Sequence, residues 1–205
     1  QVREKDRIIN SNVQTYESQE RQVYEKIIIL EKGVLPQGAS TKNAGFACFG
    51  SISEIIHDLK THTEEEVIQL IQKRYSGLQL LRKNLGDAAL DLKPFGGYEL
   101  FLKEDESFYN ECLQKIPFIN DLLKPLFKAE VFVKQVDRFH FGGIFEYLIF
   151  NPFEAQIDTG NMMQALLKKA HQNDILILNN QTVTHHQELN DGVEVVTNGI
   201  TFKTN

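Results

Sequence analysis

The stretch IIILEKGVLPQGASTKNAGFACFG, residues 27–50, decides the fold of this chain. It opens with four apolar residues, a run that is rich in β-branched side chains and too short for a core helix. Such a run predicts a buried strand of a parallel sheet. Glu31 follows at the carboxyl end of this strand, which is where open α/β sheets bind their ligands. The stretch therefore predicts an α/β protein with a ligand close to Glu31.

The residues after Glu31 favour a close approach between the backbone and a ligand. Four glycines lie among small and hydroxyl-bearing residues, and glycine has no side chain to hold a ligand away. Residues 40–43, Ser-Thr-Lys-Asn, add two hydroxyls, one cation and one amide. These groups suit a phosphate or the polar edge of a ring.

The pattern strand–Glu–x–Gly followed by GASTKNAGF resembles the second nucleotide-binding segment of FAD-dependent oxidoreductases of the D-amino-acid-oxidase-like (DAO) family. GGYELF at 96–101, DTGNMMQALLKKA at 158–170 and the closing residues extend the resemblance over roughly residues 26–203. It implies an α/β (α+β) fold, in which an incomplete FAD/NAD(P)-binding Rossmann-like domain carries an inserted substrate-type α+β domain. It also implies oxidation of a small-molecule amine or amino acid, with hydride transfer to FAD.

The resemblance assigns Glu31 to the adenosine ribose hydroxyls, and the segment from Gly38 to Gly45 to the path from the pyrophosphate to the flavin ring. Val183 resembles the position that meets adenine through its backbone. For Lys42 two interpretations stay open, a cation beside phosphate or flavin and a solvated loop lysine. The residues expected to contact the cofactor are Glu31, Lys32, Gly38, Ala39, Ser40, Thr41, Lys42, Asn43, Ala44, Gly45 and Val183. No catalytic residue is assigned, because hydride transfer depends mainly on placing the substrate carbon beside the flavin.

The chain departs from the family in one respect. A strand, a G-x-G-x-x-G loop and a helix should precede Glu31, yet the first glycine is Gly33. No phosphate-binding loop of that type can lie in residues 1–32. We therefore expect an internal portion of a flavoenzyme. An alternative hypothesis also stays open: a non-catalytic remnant that does not hold FAD and acts by partner binding or by self-association, for example as a homo-oligomer.

Three regions are expected along the chain. Residues 1–25 are an atypical polar segment, loosely structured or partly helical. Residues 26–50 and 151–205 are parts of the FAD-binding-like domain, and residues 51–150 form the substrate-type domain. Five helices are predicted: from Ser51 or Ser53 to 60, at 64–84 after a Thr63–Glu66 capping box, from Asp105 to 116, from Pro117 to about Pro125, and at 160–171. Strands are predicted at 130–136, 144–150 and 175–178, followed by a three-stranded meander.

Composition excludes several other classes of function. The chain has 205 residues, of which 41% are hydrophobic and 24% charged, as in ordinary globular domains. A formal net charge of −6 disfavours nucleic acid or an anionic membrane as the main partner. No apolar run reaches the length of a membrane span, and no export signal is recognisable, so we expect a cytoplasmic protein.

The potential metal ligands form no recognisable motif. His185 and His186 are adjacent on a predicted strand and should point to opposite faces, so no metal site is expected. Cys48 and Cys112 lie far apart in sequence and are expected to be reduced thiols.

Overall fold

The computed structural model of the protein describes residues 26–204, which form two compact units. The terminal unit comprises residues 26–36 and 169–204, and the central unit comprises residues 37–168. The expectation for residues 1–25 lies outside the described residues. The predicted division into a cofactor domain and a substrate domain remains a prediction.

The terminal unit contains the strand that the opening stretch predicts. Strand β1, Ile28–Leu30, pairs in parallel with a later strand, Leu176–Leu178, with Ile28 opposite Leu176. The parallel pairing agrees with the prediction, but the expected burial is wrong. Ile28 and Ile29 are 37% and 43% exposed. Within the described residues these strands form a sheet of only two members, three residues each, which is too small to bury both of its faces.

The rest of the terminal unit is the predicted three-stranded meander. Its strands are Val183–Leu189, Gly192–Thr197 and Thr201–Thr204, antiparallel throughout and with the middle strand at the centre. Thr197 closes the second turn, because its hydroxyl donates to the Ile200 carbonyl (2.9 Å) and accepts from the Ile200 N–H (3.1 Å).

The first half of the central unit contains β2 (Phe46–Ala47) and four helices, α1 to α4. These helices are, in order, Ala39–Lys42, Ile52–Asp58, Glu64–Leu85 and Asp87–Leu90. Ser51 and Thr63 begin α2 and α3 with complete capping boxes, which satisfy backbone N–H groups that a helix start leaves free. Gly86 ends α3 at a φ of +83°. The predicted positions of these caps are confirmed.

The prediction of two helices around Pro117 is wrong. After a 3-10 turn at Lys103–Asp105, a single helix α5 runs through Glu106–Phe127 with both prolines inside it. A proline inside a helix removes one hydrogen bond and crowds the preceding turn. Buried side chains before and after Pro117, from Tyr109 to Leu123, favour a continuous helix by packing into one core. Asp105 lies at the N-cap position, although its side chain makes no capping hydrogen bond.

Two antiparallel sheets complete the central unit. Strands β3 (Gly97–Glu99), β4 (Val133–Val136) and β5 (Tyr147–Asn151) form one of them, with β5 at the centre. The other pairs β2 with β6, Ala155–Gln156. Helix α6, Thr159–Gln172, then leads to β7 (Leu176–Leu178), β8 (Val183–Leu189), β9 (Gly192–Thr197) and β10 (Thr201–Thr204) of the terminal unit.

Both apolar cores of the described residues lie in the central unit. The larger joins α2, α3, α5 and the β3–β5–β4 sheet. It includes an aromatic cluster of Phe49, Tyr75, Phe127 and Phe153, in which ring centroids are 4.7–6.5 Å apart. The smaller core surrounds Leu90 and Met162. Val131 and Phe132, the two residues before β4, are fixed by Asn120 of α5, whose Oδ1 accepts from both backbone N–H groups and whose Nδ2 donates to the Phe132 carbonyl.

Candidate functional site

Glu31 immediately follows β1 and is held on both sides. Its backbone N–H donates to the Leu178 carbonyl and its carbonyl accepts from the Gln181 N–H, each at 2.9 Å. The half-buried side chain turns back on its own chain, so that Oε1 accepts from the Gly33 N–H at 2.6 Å. A carboxylate offers about four acceptor positions, so this bond leaves capacity for a pair of hydroxyls. Glu31 therefore fits the ribose role that the resemblance assigns to it.

Lys32 and Val183 belong to the same unit as Glu31. Lys32 is exposed, and Val183 begins β8 opposite Thr197 with 46% of its surface exposed. The Asn180 N–H donates to the Gly33 carbonyl at 3.0 Å, which ties the segment before β8 to the loop after β1. The contacts of these two residues with a cofactor remain predictions.

The segment from Gly38 to Gly45 lies in the central unit and is shaped by its own hydrogen bonds. The Thr41 hydroxyl donates to the Gly38 carbonyl at 2.8 Å, and the Asn43 amide donates to the Ser40 carbonyl at 2.9 Å. Asn43 Oδ1 also accepts from the Gly45 N–H at 2.8 Å. Thr41 and Asn43 therefore stabilise the turn, and Ala39, Ser40, Lys42 and Ala44 are exposed. The contacts of these residues with a cofactor remain predictions.

Gly45 is required where it stands. Its φ of +81° disfavours any other residue, and a Cβ atom there would lie 2.5 Å from the Ile157 carbonyl oxygen. The Ile157 N–H in turn donates to the Gly45 carbonyl at 2.8 Å. The end of this segment is therefore fixed against the residues that follow β6.

The structure places the predicted cofactor residues in two groups, one in each unit. Glu31, Lys32 and Val183 lie in the terminal unit, and the residues from Gly38 to Gly45 lie in the central unit. In the terminal unit, Glu31 fits the ribose of FAD. In the central unit, the segment from Gly38 to Ala44 is mostly exposed. For the diphosphate the chain fits less well, since residues 1–32 contain no glycine for a phosphate-binding loop.

A second polar site was not predicted from the sequence. A cavity of about 230 Å³ in the central unit carries two carboxylates, and we call it the acidic cavity. Its lining residues are Ser51, Gly97, Tyr98, Glu99, Phe132, Ile149, Asn151 and Glu154.

Hydrogen bonds connect the acidic cavity to the start of α2. The Ser53 hydroxyl donates to Glu99 Oε1, and the Ser53 N–H donates to Glu99 Oε2 at 3.4 Å. The Ser53 hydroxyl also lies 3.0 Å from the hydroxyl of Ser51, whose backbone N–H donates to Glu54 at 3.0 Å. Glu99 and Glu54 therefore belong to one continuous network.

Glu154 is the most perturbed acid of the described residues. Burial, together with the negative charges of Glu54 and Glu99, raises the pKa of its carboxyl to about 7, and the Phe49 backbone N–H partly opposes this rise. The dipeptide Gly96-Gly97 is the sequence signal that could have revealed this site. A Cβ atom at Gly97 would collide with the Glu154 carboxylate, so only glycine leaves room for it.

The two cysteines are free and differ in surroundings. Cys48 is exposed, whereas Cys112 is buried in the larger core, where burial raises its pKa to about 12.

Within residues 26–204, no group of three or more histidine, cysteine or acidic side chains is arranged to hold a metal ion. None of the helices described between these limits has the length and apolar character to cross a membrane.

Comparison with solved structures finds the same fold in several oxidases. Glycine oxidase from Geobacillus kaustophilus matches with a TM-score of 0.60 at 16% identity, covering 87% of this chain and 46% of that one. Iminodiacetate oxidase from Chelativorans sp. BNC1 matches with 0.57 at 15% identity, covering 87% and 53%. L-alpha-glycerophosphate oxidase from Mycoplasma pneumoniae, solved with FAD bound, matches with 0.56 at 19% identity, covering 87% and 45%.

These three likenesses concern the fold alone, and the chain spans about half the length of each of these enzymes. No curated protein matches the sequence. The family model of the FAD-dependent oxidoreductases called DAO matches residues 15–204, which is most of the chain. The mixed helix and strand architecture agrees with that match. This chain therefore belongs to the DAO family of FAD-dependent oxidoreductases.

Proposed function

We propose that this chain forms part of an FAD-dependent oxidoreductase that oxidises an amine or an amino acid at the carbon next to nitrogen. The observation that carries the proposal is the family match over residues 15–204. The similar structures of glycine oxidase and iminodiacetate oxidase support an amino compound as the substrate class. FAD, when bound, supplies the acceptor for the hydride.

The chain's own residues would bind the cofactor. Glu31, oriented by the Gly33 N–H, accepts hydrogen bonds from the ribose hydroxyls. The segment from Gly38 to Gly45, whose residues up to Ala44 are mostly exposed, lies along the cofactor, and Lys42 provides a positive charge beside it. Lys32 and the backbone of Val183 complete the adenosine side. The described residues include no group for which we propose a catalytic role.

The proposal is tested by visible absorption of the purified chain after incubation with FAD and desalting. The unchanged protein should retain a flavin band. Glu31→Gln keeps an acceptor for the Gly33 N–H but removes the charge, so its affinity for FAD should fall by about tenfold to a hundredfold, as for the loss of one charge-assisted hydrogen bond. Glu188→Gln removes an exposed acid from β8 of the same unit and should change nothing.

A colourless protein after incubation would contradict FAD binding by this chain. A second candidate function would then gain support, in which the chain acts through a partner or through a second copy of itself. The exposed apolar side chains of the β1–β7 sheet favour that candidate, since Ile29 is 43% and Leu176 is 49% exposed. Sedimentation velocity over a range of concentrations would then distinguish a monomer from a homo-oligomer.

A further inference from the structure

Glu154 is held against the Gly96–Gly97 dipeptide by both its backbone and its side chain. The Glu154 carbonyl accepts from the Gly96 N–H at 3.2 Å. The Glu154 carboxylate occupies the space that a side chain at Gly97 would fill. The connection between β5 and β6 therefore packs against the start of β3, and Glu154 is the residue that makes this contact.

The charges around Glu154 are mostly negative. Glu99 approaches from β3 and Glu54 from α2, and both act on the Glu154 carboxyl. A cation also lies nearby: the guanidinium of Arg74, on α3, donates to the Phe49 carbonyl at 3.2 Å, and its charge acts on the thiol of Cys48. A carboxylate at Glu154 thus adds a third negative charge to a partly buried group.

The adjacent amide does not compensate for that charge. Asn151 is 3% exposed, and its Oδ1 accepts from the Phe153 N–H at 3.0 Å, but its Nδ2 makes no hydrogen bond of good geometry. The backbone N–H of Phe49 and, more weakly, the Asn151 side chain lower the pKa of the Glu154 carboxyl, but burial has the larger effect. The site favours a neutral Glu154.

The position of Glu154 in the chain connects it to β2. Glu154 immediately precedes β6, whose residues pair with Phe46 and Ala47 of β2. Gln156 of β6 also exchanges two backbone hydrogen bonds with Lys93, at 2.8 and 2.9 Å. A displacement of Glu154 would therefore weaken the pairing of the strand that directly follows the segment from Gly38 to Gly45.

We propose that Glu154 is a pH-sensitive latch: in its protonated form it seats the β5–β6 connection on Gly96–Gly97, and in its ionised form it releases β6 and β2. The pKa of this carboxyl is raised in the folded protein relative to the unfolded chain. Its contribution to stability is then complete below the unfolded-state pKa and is lost as the pH rises through about 7. The latch opens on the alkaline side of neutrality.

The test measures urea unfolding by circular dichroism, and amide hydrogen exchange of Phe46 and Ala47, between about pH 5 and pH 8. Over this range the unfolding equilibrium constant of the unchanged protein should increase on the order of fiftyfold more than that of Glu154→Gln, whose amide resembles the protonated acid. The protection of Phe46 and Ala47, corrected for intrinsic exchange, should fall with pH only where Glu154 is present. Glu130→Gln, which removes an exposed acid from the same unit, should behave as the unchanged protein.

Parallel pH profiles for the unchanged protein and Glu154→Gln would overturn the proposal. If Glu154→Gln does not fold, Glu99→Gln decides, because it removes one of the charges that act on Glu154 and leaves the latch residue in place. Glu99→Gln should move the pH at which β2 loses protection to a lower value, because removing a neighbouring negative charge lowers the pKa of Glu154. Loss of β2 protection at an unchanged or higher pH would contradict the latch.

Discussion

The thiols of Cys48 and Cys112 differ in their exposure to solvent. Cys48 is exposed, and Cys112 is fully buried with a pKa raised by burial to about 12. Because the thiolate is the reactive form, we predict that a thiol reagent labels Cys48 in the folded protein and labels Cys112 only after unfolding. Mass spectrometry of the labelled peptides measures both reactions. Equal labelling of the two thiols under native conditions would contradict the structure.

The environment of Cys48 gives this prediction a second readout. Although Cys48 is exposed as a residue, its thiol is partly desolvated, and this desolvation together with the negative charges of Glu154 and Glu54 raises its pKa. Glu154→Gln removes that charge and should therefore accelerate the labelling of Cys48 at a fixed pH near neutrality. Glu130→Gln serves as the matched control and should leave the rate unchanged.

Single residues differ in how well the sequence predicts them. The position of Glu31 directly after a parallel strand could be predicted, because a short β-branched run followed by an acid is a local signal. Its contact with a ribose remains a prediction. Its bond with Gly33 is also local. Glu154 could not be predicted, since its surroundings come from β3, α2 and the residues after β2, and burial depends on the folded chain. Thr41 and Asn43 show a related limit, because the same polar groups suit a ligand and a turn.

At the scale of the elements, the contact between α5 and the residues before β4, Val131 and Phe132, depends on the buried side chain of Asn120. Asn120→Ala would leave two N–H groups and one carbonyl without their partner and would open a small cavity. We predict a loss of about 2–4 kcal/mol in the free energy of unfolding, measured by urea denaturation. Asn110→Ala changes an exposed residue of the same helix and should alter stability by less than about 0.5 kcal/mol. Equal effects of the two substitutions would contradict this role of Asn120.

Helix and strand positions were predictable wherever the signal is local. The capping boxes at Ser51 and Thr63 begin helices as predicted, and the Gly86 stop is correct. Pro117 was misleading, because the packing of residues on both sides of it outweighs the lost hydrogen bond. The burial of β1 was also wrong, since burial depends on neighbouring layers that a strand's own sequence does not specify.

At the scale of the whole molecule, the two units have unequal cores. Both apolar clusters lie in the central unit, and Thr197 is the only buried residue among those described in the terminal unit. Local opening costs less where few apolar contacts are lost. We therefore predict faster amide exchange in β1 and β7 than in α5 and β5, measured by hydrogen exchange with mass spectrometry. Equal protection of the four elements would show that the terminal unit is stabilised by contacts beyond its own described residues.

The exposed thiol of Cys48 has a consequence for spectroscopy. A nitroxide attached there would be the single paramagnetic centre of an otherwise unmodified chain, because Cys112 is the only other cysteine and is shielded. Its relaxation effect on nearby nuclei decreases steeply with distance, and Cys48 lies directly after β2. Resonances from Gly38 to Ala47 would then report, residue by residue, how far this segment moves when a nucleotide is added.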